Sequence, residues 1–249
     1  MLIDFSDRAI IVTGATRGIG KQIADDLLSK GATLLLTGTN PDQIYSLNEE
    51  AQRKGLKKTY FELDVLKNDS LEQFLDSIGK YQKIDGLVNN AGINRLNAIG
   101  NIIESDWDEM INVNLTAPFK IIKVISQKMI SAGYGRIVNI ASIFSVISKK
   151  KRAAYSATKF GLHGLTVGVS NDLARYNVLV NTLSPGFVKT DLTRKNLSAQ
   201  EMTDLANTIP AGRLGEVEDI SNFAQFLLSD YNKYLTGQNI IVDGGFTNV

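Results

Sequence analysis

The stretch VTGATRGIGKQIADDLLSKGATLLLTGTN, residues 12–40, decides the fold. An apolar run rich in β-branched residues, 9–13, precedes three glycines and a segment of helical periodicity at 18–30. The short apolar run at 33–37 then predicts a second buried strand. Strand, glycine-rich turn, helix and strand in this order predict a βαβ unit with parallel strands.

The same alternation continues through the rest of the chain. With the opening unit, the apolar runs give seven strands. They predict an α/β protein with a Rossmann-type doubly wound parallel sheet, folded as a single domain over residues 1–249. The remaining predicted strands lie at 58–63, 86–89, 136–141, 178–184 and 239–243, and the remaining helices at 71–81, 105–132, 155–175 and 216–228.

Local signals divide the long helical pattern at 105–132. Ser105, followed three residues later by Asp108, predicts a cap at its start. Gly133 predicts its end, because glycine readily adopts the left-handed conformation that stops a helix. Pro118 lies inside the pattern and predicts a kink or a break.

Composition excludes several classes of function. The net charge of +1 creates no field that would attract nucleic acid or a membrane surface. No apolar run approaches the roughly 18 residues of a membrane span, and the acidic N-terminal residues predict no signal peptide. The absence of cysteine excludes disulfides and fits a reducing compartment, so we predict a cytoplasmic protein. With one histidine and no cysteine, we predict no metal site.

The glycines of the opening stretch predict an anion site. Gly14, Gly18 and Gly20 lie between the first strand and the first helix. Without Cβ atoms the backbone can approach a pyrophosphate, which the N-terminus of the following helix also attracts. The spacing differs from the common Gly-x-Gly-x-x-Gly fingerprint. A glycine-rich turn that binds nothing is the alternative.

The end of the second strand indicates which dinucleotide would bind. A fold that prefers NAD usually places Asp or Glu there, on the ribose 2′-hydroxyl, but this chain has no acid at 37–40. Arg17, in the glycine loop, is suited to a 2′-phosphate, and Thr39 can add a hydroxyl. This combination favours NADP(H). The alternative is that Arg17 is only a solvated surface charge.

Three further motifs fall at, or just beyond, the carboxyl ends of predicted strands, where open α/β sheets bind ligands. NNAG occupies 89–92, Ser142, Tyr155 and Lys159 follow the fifth strand, and SPGFVKT occupies 184–190. With these motifs the chain resembles the short-chain dehydrogenase/reductase family over nearly its whole length, from TGATRGIG to GQNIIVDGG. The resemblance implies a seven-stranded doubly wound sheet and an NADP(H)-dependent enzyme.

The catalytic candidates have their own chemical logic. Tyr155 and Lys159 are four residues apart and therefore share one face of a helix. A tyrosine pKa near 10 is too high for easy proton exchange at neutral pH, and a nearby ammonium lowers it. Ser142 can donate a hydrogen bond to the substrate oxygen. The resemblance adds Asn114, which would hold a water molecule against the lysine. An ordinary helix pair is the alternative reading of Tyr155 and Lys159.

The resemblance also implies the remaining cofactor contacts. Asn89 would brace the central strands, and His163 would be a structural helix residue. The expected cofactor residues are Thr16 and Ile19 in the glycine loop, Asp64 and Val65 at the adenine, Asn90, Ala91 and Gly92 along the groove, Pro185, Gly186 and Val188 beside the nicotinamide, and Thr190 on its carboxamide or on the pyrophosphate.

Two segments bear on the substrate, which we expect to be a small carbonyl or alcohol compound. The first, residues 149–152 or KKKR (the basic turn), predicts either a solvated turn or a clamp for an anionic or carrier-linked substrate. The second, about 187–213, is long enough to act as a lid and carries Arg194, Lys195 and Arg213.

Within the family, the chain is most similar to β-ketoacyl-(acyl-carrier-protein) reductases, followed by gluconate-type dehydrogenases that act on anionic sugars. It departs from the former at 131–134 and 175–177, where only one cation stands in place of their carrier-docking residues. A catalytically silent NADP(H)-binding regulator would require a broken Ser-Tyr-Lys set, and the set is intact. The C-terminal tail resembles that of the family's homotetramers.

Overall fold

Seven parallel strands form one sheet in the order β3-β2-β1-β4-β5-β6-β7. The computed structural model describes residues 3–67, 69–190, 193 and 198–248. The predicted α/β class and doubly wound parallel sheet are confirmed. The strands are β1 (Ala9–Val12), β2 (Thr33–Gly38), β3 (Lys58–Glu62), β4 (Gly86–Asn89), β5 (Gly135–Ile140), β6 (Val178–Pro185) and β7 (Asn239–Val242).

Helices cover both faces of the sheet. Along β1, Ile10 and Val12 pack into one hydrophobic cluster and Ile11 into the other, so the strand is buried on both sides. The first cluster includes residues of α1 and α8, and the second includes residues of α3 and α5. The helices are α1 (Gly18–Ser29), α2 (Pro41–Arg53), α3 (Ser70–Gly79), α4 (Glu104–Ile111), α5 (Ala117–Ala132), α6 (Ala153–Leu173), α7 (Ala199–Asn207) and α8 (Val217–Leu228).

The long helical pattern is divided by a π-helical segment, Asn112–Thr116, between α4 and α5. The sequence predicted a kink or a break from Pro118, but the backbone stays helical from Ile111 to Ala117, so the helix is not broken. The irregularity is the π-helical segment just before the proline, which lies in the first turn of α5. Gly133 ends α5 with a φ of +61°, as predicted. The predicted cap at Ser105 is wrong: α4 starts one residue earlier, and its N-cap is Ile103 without a side-chain hydrogen bond.

Two helices have clear start signals that the sequence analysis did not use. At α2, the Asn40 side chain accepts a hydrogen bond of 2.9 Å from the Gln43 N–H, and Pro41 opens the helix. At α7, Ser198 and Glu201 form a capping box. Helix α7 lies inside the predicted lid, whose Arg194 and Lys195 fall outside the described residues.

The strand order places a crevice at the centre of one edge of the sheet. The chain passes from β1 outward to β2 and β3, and then returns to β4 on the other side of β1. The loops after β1 and β4 therefore diverge and leave a cleft beyond their carboxyl ends, where doubly wound sheets bind ligands.

Candidate active site

The turn after β1 requires glycine for steric reasons. Gly14 and Gly18 have φ values of +63° and +56°, a region that side chains rarely adopt. A Cβ atom on Gly20 would lie 2.4 Å from the Gly14 carbonyl oxygen and 2.4 Å from the Asn90 amide nitrogen. The N-cap of α1, Arg17, makes no side-chain capping hydrogen bond. The turn is thus a backbone cradle at a helix start, which fits the pyrophosphate of a dinucleotide.

Thr13, which the sequence analysis missed, ties this cradle to the segment after β4. Its hydroxyl accepts hydrogen bonds from the backbone N–H groups of Asn90 and Ala91, both at 3.0 Å. The Asn90 side chain donates in return to the carbonyl groups of Thr13 (3.0 Å) and Gly14 (3.1 Å). Asn90 therefore lies beneath the glycine turn and fixes it. A hydroxyl residue directly before Gly14 was the available signal.

The other predicted residues of the glycine turn and of the strand ends lie at the same edge. Thr16 packs against Gly38, where a Cβ atom would lie 2.5 Å from the threonine methyl. Ile19 is partly buried against the core. Arg17 and Thr39 are both exposed.

Asp64 and Val65 follow β3 at this edge. The Asp64 carboxylate accepts a hydrogen bond of 3.1 Å from the Leu66 N–H. Val65 packs against the hydrophobic cluster that contains α3 and α5. Both residues therefore have structural contacts of their own.

The segment after β6 reaches over the glycine turn. A Cβ atom on Gly18 would lie 3.7 Å from the Thr190 methyl, so Thr190 faces the start of α1. Val188 is buried and pairs with Gly215 in a parallel bridge. Pro185 is the last residue of β6, and Gly186 packs against Asp243, where a Cβ atom would lie 2.7 Å from its Cα. The missing side chain of Gly186 is thus explained by contact with the chain after β7.

The structure brings Asn114, Lys159 and Gly92 together. A Cβ atom on Gly92 would lie 3.3 Å from Asn114 Oδ1 and 3.5 Å from Lys159 Nζ. The lysine donates a hydrogen bond of 2.9 Å to the Ile140 carbonyl, at the end of β5. Its Nζ lies 5.7 Å from the centre of the Tyr155 ring, one turn away on α6. The predicted catalytic residues Lys159 and Asn114 therefore lie next to Gly92, which was predicted to line the cofactor groove.

Asn114 lies in the π-helical segment and is fully buried. Its Oδ1 accepts a hydrogen bond of 2.8 Å from the Ile93 N–H, and its Nδ2 donates to the Ile93 carbonyl at 2.9 Å and to Thr158 Oγ1 at 3.0 Å. Asn114 thus links the loop after β4 to the helix that carries the tyrosine and the lysine.

Ser142 begins the turn after β5, and its hydroxyl accepts a hydrogen bond of 3.3 Å from the Phe144 N–H. A closed ring of hydrogen bonds holds this turn on the sheet. Ser145 and Ser184 share a bond of 2.9 Å, Ser184 donates to Asn239 Oδ1 at 2.6 Å, and Asn239 donates to Ser145 at 2.9 Å. The ring joins the Ser142 turn to β6 and β7. Sequence reasoning missed it, because its members are far apart in the chain.

A second buried network lies behind the site. Asn89 donates to Asn139 at 2.8 Å, and Asn139 donates to Thr166 at 2.9 Å. Thr182 also donates to Thr166 at 2.9 Å, and its hydroxyl lies 3.3 Å from His163 Nδ1. Asn89 braces the central strands and His163 joins the same structural network, as predicted.

Burial controls the protonation of both central groups. It raises the pKa of Tyr155, while the Ser142 hydroxyl and the Arg152 charge act in the opposite direction. Burial also lowers the pKa of Lys159 to about 8. The sequence predicted a tyrosine pKa lowered by this lysine. The difference arises because desolvation outweighs the favourable charges, and because the cation that lowers the tyrosine pKa is Arg152.

The buried lysine makes stability depend on pH. The pKa of Lys159 rises from about 8 in the folded protein to 10.5 on unfolding. Between these values the unfolded chain binds more protons at this residue, so the contribution of Lys159 to stability rises with pH. Lys159→Met removes this titration. We therefore compare the free energies of unfolding of the Lys159→Met protein and the wild type. The value for the variant minus the value for the wild type should fall between pH 8 and pH 10.5, by at most about 1.4 kcal/mol per pH unit.

Urea unfolding of both proteins at several pH values measures this difference, with Lys80→Met as the exposed control. A difference that stays constant between pH 7 and pH 10.5 would show that Lys159 keeps an ordinary pKa in the folded protein.

Comparisons with known proteins identify the family of this chain. A family model described as enoyl-(acyl carrier protein) reductase, adh_short_C2, matches residues 14–247. The chain belongs to the short-chain dehydrogenase/reductase family of oxidoreductases.

Individual relatives differ in the activities that their names give. The chain is 39% identical to the 3-oxoacyl-(acyl-carrier-protein) reductase FabG of Aquifex aeolicus, over 98% of this chain and 99% of the relative. It is 35% identical to the gluconate 5-dehydrogenase of Gluconobacter oxydans, over 99% and 97%. The crystal structure of a gluconate 5-dehydrogenase from Burkholderia cenocepacia, in complex with NADP and tartrate, matches with a TM-score of 0.90 and 32% identity, over 99% of this chain and 97% of that one.

Two features are absent from the part of the chain that the structure describes. The described residues contain no group of three or more His, Cys, Asp or Glu side chains that could hold a metal ion. None of the helices in this part of the chain has the length and hydropathy needed to cross a bilayer.

Proposed function

We propose that this protein is an NADP(H)-dependent oxidoreductase that reduces a carbonyl compound to a secondary alcohol. The observation that carries the proposal is the convergence of Tyr155, Lys159, Asn114 and Gly92 at the crevice that also holds the glycine cradle. NADPH, when bound, would supply the hydride. The phenol of Tyr155 donates the proton, and Ser142 donates a hydrogen bond to the substrate oxygen.

The supporting residues act through position and charge. Lys159, fixed on the Ile140 carbonyl, provides a positive charge near the phenol when it is protonated. Asn114 holds the Ile93 backbone against α6 and, in our proposal, a water molecule against the lysine. The residues that we assign to the cofactor are Gly14, Thr16, Arg17, Gly18, Ile19, Gly20, Thr39, Asp64, Val65, Asn90, Ala91, Gly92, Pro185, Gly186, Val188 and Thr190, together with Tyr155 and Lys159.

Arg17 tests the choice of coenzyme. It is exposed at the start of α1 and forms no ion pair within the described residues, so it is available for a 2′-phosphate. Arg17→Ala is expected to weaken NADPH binding about tenfold or more, the loss of a charge-assisted contact, and to leave NADH binding within about twofold. Fluorescence titration with both nucleotides measures this.

Lys21→Ala is the matched control for this experiment, because Lys21 lies one turn further along α1 and pairs with Asp25. Equal losses for NADPH and NADH in the Arg17→Ala protein would remove the phosphate contact from the proposal.

The first candidate substrate is a 3-oxoacyl thioester on an acyl carrier protein. It is supported by the similarity to the Aquifex aeolicus reductase, which extends over 98% of this chain. One feature stands against it: Arg175, the only cation at 131–134 and 175–177, donates a hydrogen bond to Tyr176 of its own turn.

The second candidate is an anionic sugar, a sugar acid or a nucleotide-linked sugar. The relatives named as gluconate 5-dehydrogenases support it. A specific contact also favours it, because the Arg152 guanidinium of the basic turn lies 6.0 Å from the centre of the Tyr155 ring. A charge in this place suits a substrate that carries an anion.

A panel of carbonyl compounds, assayed with NADPH, tests the proposal. If the protein reduces any compound of the panel, and if this turnover is lost when Ser142 or Tyr155 is replaced, the result supports an enzymatic function. Tight NADPH binding without turnover across acyl thioesters, keto sugars and keto acids favours the third candidate, a catalytically silent regulator. A cytoplasmic location, a homotetramer and a lid at 187–213 remain part of the proposal.

A further inference from the structure

Two cations of the basic turn lie on aromatic rings beside Tyr155. The guanidinium carbon of Arg152 is 4.9 Å from the centre of the Phe144 ring and 6.0 Å from that of Tyr155. The Nζ atom of Lys149 is 5.9 Å from the Phe144 ring and 5.1 Å from the Phe187 ring. Both cations therefore make cation–π contacts with a cluster of aromatic rings at the proposed reaction site.

Neither cation has an acidic partner in the part of the chain that the structure describes. Arg95, on the loop after β4, differs, because it pairs with Asp106 and Glu109. Burial lowers the pKa of both Lys149 and Arg152, and the charge of Arg152 lowers that of Lys149 further. Two like charges are thus held together and partly desolvated, an arrangement that a bound anion relieves.

The backbone separates these two cations from their neighbours. The Arg152 N–H donates a hydrogen bond of 3.2 Å to the Lys149 carbonyl, and Lys151 between them has a φ of +64°. Lys149, Lys150 and Lys151 are all exposed, but only Lys149 of these three makes the ring contacts described above. Of the four cations in the basic turn, only Lys149 and Arg152 therefore line the site.

We infer that Lys149 and Arg152 form a binding site for an acidic oxygen group, a carboxylate or a phosphate, that lies a few bonds from the reacting carbonyl of a small substrate. The inference rests on the proposed function, because it takes Tyr155 as the proton donor. The planar guanidinium of Arg152 suits the two oxygens of such a group.

This placement separates the candidate substrates. A 3-oxoacyl thioester has no charge near its ketone, since the phosphate of its carrier lies at the far end of the long pantetheine arm. A keto acid or a sugar acid carries its charge within the same small molecule. The cations beside Tyr155, which have no acidic partner among the described residues, therefore favour the small acid.

The inference is tested by oxidation of three compounds with the same six-carbon chain, with NADP⁺ as the coenzyme. They are the carboxylate D-gluconate, the phosphate D-glucitol 6-phosphate and the neutral D-glucitol. Arg152→Ala is expected to lower kcat/KM for the acid that binds by about tenfold or more relative to D-glucitol, the loss of a charge-assisted contact. Lys149 is more exposed, so Lys149→Ala should cause a smaller loss in the same direction. Lys150→Ala is the matched control and should change all three values by less than about twofold.

A binding measurement keeps the inference separate from turnover. In the Tyr155→Phe protein loaded with NADP⁺, isothermal titration with D-gluconate or with D-glucitol 6-phosphate should show binding that the added Arg152→Ala change weakens about tenfold or more. Whichever probe binds identifies a carboxylate or a phosphate site.

If Arg152→Ala lowered kcat/KM equally for the acidic compounds and for D-glucitol, the inference would be overturned. Arg152 would then act only on the Tyr155 phenol and not on an acidic group of the substrate. Failure of both acids to bind would also overturn it, even if the protein reduces neutral carbonyl compounds and so keeps the proposed function. Acid binding that depends on Arg152, in a protein without turnover on any carbonyl, would uphold the site and contradict the proposed function.

Discussion

The Tyr155→Phe protein is expected to lose nearly all turnover while it keeps most of its affinity for NADPH. Burial raises the pKa of Tyr155, so at neutral pH the phenol is protonated and ready to donate to a carbonyl that is being reduced. Phenylalanine keeps the ring and its edge contact with Phe144 but removes the hydroxyl that carries this proton in the proposed mechanism. The rate should fall by a factor of about 100 to 10,000, the usual contribution of general acid catalysis.

Steady-state rates and a fluorescence titration with NADPH measure the two effects separately. Tyr45→Phe serves as the control, since that ring is 69% exposed on α2. If the Tyr155→Phe protein kept most of its rate, another group would be the proton donor, and the mechanism proposed here would be wrong.

The second large effect is expected at Gly20. A methyl group there would lie 2.4 Å from the Gly14 carbonyl oxygen, a contact that the backbone of the turn can relieve only by moving. Such overpacking costs about 1–3 kcal/mol, and the moved N–H groups no longer face a pyrophosphate. Gly20→Ala should weaken NADPH binding by about 100-fold or more and lower the melting temperature.

Gly79→Ala is the matched control, because no atom lies within 4 Å of a Cβ at that last position of α3. It should leave binding unchanged and stabilise the protein by up to about 1 kcal/mol, the helix propensity difference between alanine and glycine. Circular dichroism shows whether the Gly20→Ala protein is folded. Unchanged NADPH affinity in that protein would mean that the turn does not cradle the cofactor.

The fold was largely predictable because its information is local. Apolar runs of strand length alternate with helical periods, and this order alone determines a parallel doubly wound sheet. The errors also have local causes. Helix α2 was missed although Asn40 and Pro41 mark its start, and the cap assigned to Ser105 was wrong because Ile103 fills that place.

The site was less predictable, since several of its parts depend on distant contacts. The spacing of Tyr155 and Lys159 shows that they share a helix face, but the direction of the tyrosine pKa depends on burial, which the sequence does not report. The same holds for the basic turn, in which four cations look equivalent. Only the positive φ of Lys151 and the positions of the aromatic rings separate Arg152 from its neighbours.

The π-helical segment makes the site sensitive to chain length. Asn112–Thr116 is a wider turn than its neighbours, and Asn114 sits in the middle of it with both ends of its amide engaged. An α-helix advances about 100° per residue, so deleting a single amino acid from this turn would swing the amide away from Ile93 and Thr158. Insertions and deletions here should therefore be far less tolerated than point substitutions on the solvent side of α4, and the register of this helix would count as part of the catalytic apparatus.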